Sequence, residues 1–263
     1  MEQEIFWRGG VFFGLFALFA GLEALAPRRA RSLSRVRRWP TNLAITVLNT
    51  LALRGLSVLL PLLAIGAALD AKAQGWGVLN RLDWPGWVEL VVAVLALDLA
   101  IWAQHLVTHK VPVFWRFHRV HHADRDMDVT TGFRFHPVEI LASMGLKIAL
   151  VYALGPSALA VLVFEILLSG TALFNHSNLA LPGPLDRVLR VVLVTPDMHR
   201  VHHSIHREEH DSNYGFALSL WDRIFRTYVA EPQAGQDGMT VGLEWQDERP
   251  AKLGWALGLP FRR

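Results

Sequence analysis

A chain of 263 residues without cysteine can form no disulfide, thiolate-ligated zinc site or iron–sulfur cluster. Apolar residues make up 52% of it, mean hydropathy is +0.28 and tryptophan occurs ten times, a composition that suits a membrane protein. The net charge of +3 comes from arginines gathered beside apolar segments and no nucleic-acid-binding motif accompanies them, so nucleic acid is not expected as a partner.

Residues 6–26 are a nearly uncharged apolar run, with Arg8 and Glu23 near its ends. The run has about the ~20 residues a helix needs to cross hydrocarbon. Acidic residues precede it, unlike the short cationic start of a cleaved leader. Arg28, Arg29, Arg31, Arg35, Arg37 and Arg38 follow at once, which predicts a cytoplasmic loop by the positive-inside rule. A second span is predicted at 43–69, broken only by Arg54, and the charge-balanced loop 70–86 belongs to the outer side. A third span, 87–103, brings the chain back to the cytoplasm.

From 105 to 139 the sequence turns polar and rich in arginine and histidine. Two apolar arms, 140–154 and 157–174, flank the helix breaker Gly155-Pro156, and each carries one charge, Lys147 or Glu165. The first arm rises roughly 22 Å as a helix, short for a span, which predicts a re-entrant hairpin with both ends on the cytoplasmic side. The stretch 185–194, with Arg187 and Arg190, reads as lying along the interface. The expected organisation is about three transmembrane helices in 1–104, a histidine-rich catalytic region in 105–228 that includes the hairpin, and a carboxyl-terminal tail in 229–263.

The pentapeptide HRVHH occurs twice, at His118–His122 and His199–His203, and His105 and His109 form an H-x-x-x-H just upstream. On a helix, i and i+4 share a face with i+3 beside them, so each cluster aims two or three imidazoles into one space. Eight such histidines exceed what one tetrahedral metal can use, and two metals are the simplest reading. A membrane zinc-dependent hydrolase or a metal-binding or transport protein is the alternative. One catalytic zinc usually takes three protein ligands, and transport sites sit near the membrane midplane in repeated topologies. Neither pattern is present.

These residues resemble the fatty acid hydroxylase/sterol desaturase superfamily of integral-membrane di-iron enzymes, over roughly 98–228. His105 to His109 is similar to the first histidine box, FWRFHRVHH at 114–122 to the second and HRVHH at 199–203 to the third. RFHPVE at 134–139, NHSN at 175–178, Asn213-Tyr214-Gly215 and WDRIF at 221–225 resemble further family segments in the family's order. The resemblance implies that His105, His109, His118, His121, His122, His199, His202 and His203 ligate metal. It adds His176, a family histidine between the boxes, and His136, which also matches a family position and either binds metal or only shapes the turn at Pro137. His206 and His210 find no place on the pattern and are expected to be solvated.

The fold so implied is all-α: an integral-membrane helical bundle with a cytoplasmic, histidine-rich helical cap holding a dimetal centre. The implied activity is O2-dependent hydroxylation or desaturation of a membrane lipid (fatty acyl, sterol or related) at an unactivated C–H bond, with two iron ions as cofactor and O2 as co-substrate. Asp98, Asp197, Glu139 and Asn178 are candidates to fix the far nitrogens of ligating imidazoles, as are Asp211, Asp222, Asn175 and Asn213; surface solvation or capping is their other reading. The sequence has no dinucleotide-binding turn and no haem-attachment motif, so electrons are expected from a separate donor protein. Arg116, Arg119, Arg125 and Arg134 offer it a basic face, or else contact anionic membrane lipids. The expected location is a membrane, the inner one in a bacterium, with the histidine site on the cytoplasmic side.

Overall fold

The computed structural model describes the backbone of residues 2–59 and 63–262, and the side chains of 9–57 and 63–262. Eleven helices in chain order position the site: α1 (Glu2–Leu25), α2 (Arg35–Leu59), α3 (Ala64–Gln74), α4 (Gly86–Lys110), α5 (Pro112–His122), α6 (Pro137–Leu154), α7 (Ala158–His176), α8 (Gly183–Leu189), α9 (Pro196–His202), α10 (Arg207–His210) and α11 (Leu220–Ile224). Only isolated β-bridges occur among the described residues, so the architecture is all-helical.

Helices α4, α6 and α7 are each long and apolar enough to cross a membrane, and the described part of α1, Gly9–Leu25, is a shorter apolar helix. The side chains of 6–8, part of the first predicted span, lie outside the described residues, as does 60–62 within the second. The described parts of that second stretch belong to two helices, α2 and α3, and α2 begins at Arg35. Arg35, Arg37 and Arg38 are therefore helical, not loop. Arg38 is buried against Asp124 at 2.7 and 2.8 Å and Asp128 at 2.7 Å, which satisfies a charge that hydropathy alone would put in water.

The hairpin arms are also longer than the sequence suggested. Helix α6 starts at Pro137, whose ring suits the first helical turn, and His136 caps it by accepting a hydrogen bond from the Val138 N–H at 3.2 Å. Its 18 residues rise about 27 Å, enough for a full span. Gly155 ends α6 with φ of +67°, and Ser157 caps α7, its N–H and hydroxyl both held by Glu89 of α4. A side chain on Gly77 would collide with the Gly155 backbone, so this turn packs closely on the loop after α3. Alanines 64, 67 and 68 of α3 nest against Val151 and Val161, while Leu97 and Ile101 of α4 meet Phe164 of α7.

Two joints set the histidine-bearing ends. Val111 ends α4 and starts α5 in an extended conformation, as expected of a residue before proline. Glu23, buried at the end of α1, accepts from the Val129 N–H at 3.0 Å and the Asn178 N–H at 2.9 Å, pinning the loops that follow α5 and α7.

Candidate metal centre

Nine buried histidines converge from four helix ends. Helix α4 brings His105 and His109 on its last turns, α5 brings His118, His121 and His122, α7 ends on His176, and α9 carries His199 and His202 with His203 directly after it. Both HRVHH copies lie on short helices that open with proline, after Val111 and after Thr195, which caps α9. The ring nitrogens fall into two groups: His105, His109, His118, His122 and His202, and His121, His176, His199 and His203. Each HRVHH copy serves both. The i, i+4 pair His118 and His122 belongs to the first group and His121 crosses to the second; His199 and His203 belong to the second and His202 crosses to the first.

Their hydrogen bonds settle which nitrogen faces inward. His105 Nδ1 lies 2.8 Å from the Tyr214 carbonyl, His176 Nδ1 2.8 Å from the Ala172 carbonyl and His202 Nδ1 2.7 Å from the Ser212 carbonyl. A carbonyl only accepts, so these Nδ1 atoms carry the proton and Nε2 presents a lone pair. His118 Nδ1 likewise donates to Glu139 at 2.6 Å. Yet His105 Nε2 and His118 Nε2 face one another at 3.1 Å, and His176 Nε2 faces those of His121 at 3.1 Å and His199 at 3.0 Å. Between His105 and His118, whose Nδ1 atoms hold the protons, two lone pairs meet, and two lone pairs cannot hydrogen-bond. Adjacent ligands at right angles on a metal about 2.1 Å away would stand about 3.0 Å apart, which is this spacing. His202 Nε2 and both ring nitrogens of His109, His122 and His203 are buried with no hydrogen-bond partner. The donor set fits metal ions.

Burial, reinforced by neighbouring imidazoles, lowers the pKa of His121, His122, His199, His202 and His203 well below the ordinary histidine value. These rings are therefore neutral at physiological pH, the form that ligates.

The carboxylates and amides singled out from the sequence divide by what they touch. Glu139 bonds a histidine ring directly, and Asp211 stands 3.6 Å from His109 Nδ1. Asp98 instead accepts from the Trp221 indole at 2.8 Å, and Asp222 from Tyr214 N–H, Gly215 N–H and the Trp102 indole. Those two hold the loop whose Tyr214 carbonyl orients His105. Burial raises the pKa of Asp222. Asp197 binds Arg28 and Arg200, and Asn178 binds the backbone of Arg29, so both brace the arginine linker and meet no histidine. Asn213, at φ of +51°, bonds the Met198 and Val229 carbonyls, and Asn175 the Phe216 carbonyl.

His136 stands outside both groups, where it caps α6 and lies 3.3 Å from the Leu257 carbonyl. His206 is exposed. His210, expected in solvent, is buried: the chain leaves helical geometry after His202 and folds back, so that His210 Nδ1 meets the Ser204 carbonyl at 3.0 Å and its ring stacks on Trp115. Sequence reasoning missed Phe135, stacked on His121 at 4.3 Å, and the three carbonyls, whose contribution is backbone and leaves no mark on residue type.

A cavity of about 320 Å³ reaches the first group, with His105, His118 and Glu139 in its wall. It runs between α2, α4, α6 and α7, and most of its wall surface is apolar, Phe133, Phe135, Met144 and Leu168 contributing to it beside polar side chains such as Asn49 and Gln104. Further along, Lys147 and Glu165 pair across it at 2.8 Å.

A family model described as fatty acid hydroxylase matches residues 90–227, just over half of the chain. The chain is 26% identical over 239 residues to ornithine lipid hydroxylase OlsE of Rhizobium tropici, an alignment covering 88% of this chain and 70% of that one. It is 33% identical over 166 residues to human alkylglycerol monooxygenase, covering 62% of this chain and 35% of that one. With rat cholesterol 25-hydroxylase it shares 25% identity over 147 residues, 56% of this chain and 48% of that one. No solved structure matches.

Proposed function

The chain belongs to the fatty acid hydroxylase family, and we propose that it is an oxygen-dependent di-iron monooxygenase that hydroxylates a membrane lipid at an unactivated C–H bond. The observation that carries this reading is the two buried histidine groups, within which Nε2 atoms approach one another at 3.0–3.1 Å. His105, His109, His118, His122 and His202 would hold one iron, and His121, His176, His199 and His203 the other. Iron bound there supplies what no side chain can, the reduction of dioxygen coupled to oxidation of an alkyl C–H bond. Nine imidazoles exceed the three ligands of a catalytic zinc, which speaks against a hydrolase. The relatives are named for hydroxylation and monooxygenation, which favours an alcohol as product over an alkene.

The protein's own part is to bind, orient and keep dry. The cavity takes the lipid chain and brings one of its carbons to the His105–His118 end. Glu139 fixes the His118 ring by accepting a hydrogen bond from its Nδ1–H, and the carbonyls of Tyr214, Ala172 and Ser212 do the same for His105, His176 and His202. Phe135 and Phe216 wall the cavity beside these rings and exclude water. His136 is left out of the ligand set; by capping α6 it places Glu139 one turn on.

Electrons come from a separate donor protein, and the substrate reaches the cavity from the bilayer. The arginine linker after α1 supports a cytoplasmic position for the histidine face, by the positive-inside rule. The test is metal analysis of the purified protein with lipid mass spectrometry under labelled dioxygen and an added reductase system. Two irons per chain and one labelled oxygen in an alcohol are expected. Zinc in place of iron after growth with iron, or turnover independent of dioxygen, contradicts the proposal.

A further inference from the structure

Behind the second HRVHH copy lies a separate cavity of about 150 Å³, roughly ten times the space one water needs. Four arginines line it: Arg29 and Arg31 from the linker after α1, Arg125 from the loop after α5, and Arg200 from α9. The one carboxylate in its wall, Asp126, is engaged with the Ser32 N–H and hydroxyl at 2.7 Å and the Leu33 N–H at 2.8 Å. Arg29 donates to the Gln236 and Met239 carbonyls at 2.6 Å, partners that orient its guanidinium without neutralising it. Arg31 stands 3.6 Å from Glu23, whose carboxylate is held more closely by Arg35 at 2.6 Å.

Arg200 is the decisive residue. Its side chain is 1% exposed, and Nη1 meets Asp197 and the Gln236 amide oxygen. Its Nη2 is buried with no hydrogen-bond partner, as are the Nε atoms of Arg31 and Arg125. Buried donors are almost always satisfied, and unsatisfied cationic donors around one cavity call for an anion.

We infer that this cavity binds a phosphate-class oxyanion, with Arg29, Arg31, Arg125 and Arg200 as its cationic wall. Guanidinium groups from three separate segments exceed what the two oxygens of a carboxylate can serve, whereas a phosphate presents oxygens in several directions. The linker arginines follow within six residues of Leu25, the last residue of the apolar helix α1, which puts the cavity at the level of lipid headgroups. A headgroup phosphodiester and inorganic phosphate share the chemistry. The site needs neither iron nor turnover, so it stands or falls apart from the proposed oxidation.

The test is isothermal titration of the purified full chain, in neutral detergent, with inorganic phosphate and with dihexanoyl-phosphatidylglycerol. Arg125→Gln and Arg31→Gln are compared with the parent, their thermal midpoints and metal contents serving as the check of folding. Saturable binding is expected, weakened at least about tenfold by each substitution and by rising salt. Tighter binding of the lipid assigns a headgroup, and equal or tighter binding of inorganic phosphate assigns the free ion. Should Arg31→Gln misfold through its tie to Glu23, Arg125→Gln carries the test. No saturable binding of either probe, or binding that Arg125→Gln leaves within twofold, overturns the inference.

Discussion

The two histidine groups are built from the same pentapeptide yet differ in what stands behind them. The first has five rings and two carboxylates at its back, Glu139 on His118 and Asp211 beside His109. The second has four rings, a backbone carbonyl on His176 and the flat face of Phe135 on His121. His105 and His118 of the first group reach the large cavity, while no histidine of the second lines it. A symmetric motif therefore makes an asymmetric centre, in which one group faces the large cavity with a carboxylate behind it and the other is enclosed. The interleaving also matters. Because each HRVHH copy feeds both groups, neither can be dismantled without disturbing the other.

Removing a ring is the strongest way to break the comparison. His118→Ala in the first group and His199→Ala in the second should each lower turnover by at least about 100-fold, more than partners behind ligands usually cost. Metal content should fall in both variants, which metal analysis of the purified proteins checks. Full metal retention in either one would mean that its group is not a site.

Glu139→Leu sharpens the difference, because it strips the first group of its closest carboxylate and leaves the second untouched. We expect activity or metal affinity to fall about 10–100-fold. Phe135→Leu, which removes the ring stacked on His121 of the second group and also opens the cavity wall beside His118, should cost less than Glu139→Leu, since a stacked ring fixes no proton. Parallel steady-state assays order the two.

Acid tests the interleaving. His121 and His122, and His199, His202 and His203, have depressed pKa values in the fold, so the unfolded chain binds more protons than the native one once pH drops below about 6.5. Their contribution to stability is fully present above that value and is lost as pH falls below it. Metal release followed against pH should be a single transition for both metals. Two well-separated steps would show the groups to be independent.

The smallest effects concern the histidines outside both groups. His210→Ala removes a buried ring stacked on Trp115 and should cost about 1–2 kcal/mol in thermal or denaturant unfolding, while exposed His206→Ala should stay within about 0.5 kcal/mol.

That last pair also shows where the sequence was legible. Positions i and i+4 share a face on any helix, so HRVHH and His105-x-x-x-His109 announce converging rings without knowledge of the fold. His206 and His210 have the same spacing and share the single turn of α10, but that turn does not continue α9, and only His210 is folded inward. Likewise Asp98, Asp197, Glu139 and Asn178 all lie close to motifs in sequence, yet only Glu139 touches an imidazole; which carboxylate reaches a ring is decided by how α5 and α6 pack. Arginines 37 and 38 read as a loop because their partners are remote: Asp124 and Asp128, which bury Arg38, lie 86 and 90 residues away, and Glu248, which pairs with Arg37, lies 211 away. The helix that opens at Arg35 thus depends on tertiary ion pairs that hydropathy cannot register.

The central claim is that two metals sit in two adjoining histidine groups, and anomalous diffraction at the iron edge tests it most directly. The account predicts two iron peaks per chain, one bounded by His105, His109, His118, His122 and His202 and the other by His121, His176, His199 and His203. A single peak, or two peaks more than about twice the 3.5–4 Å usual for two-metal sites, would contradict it.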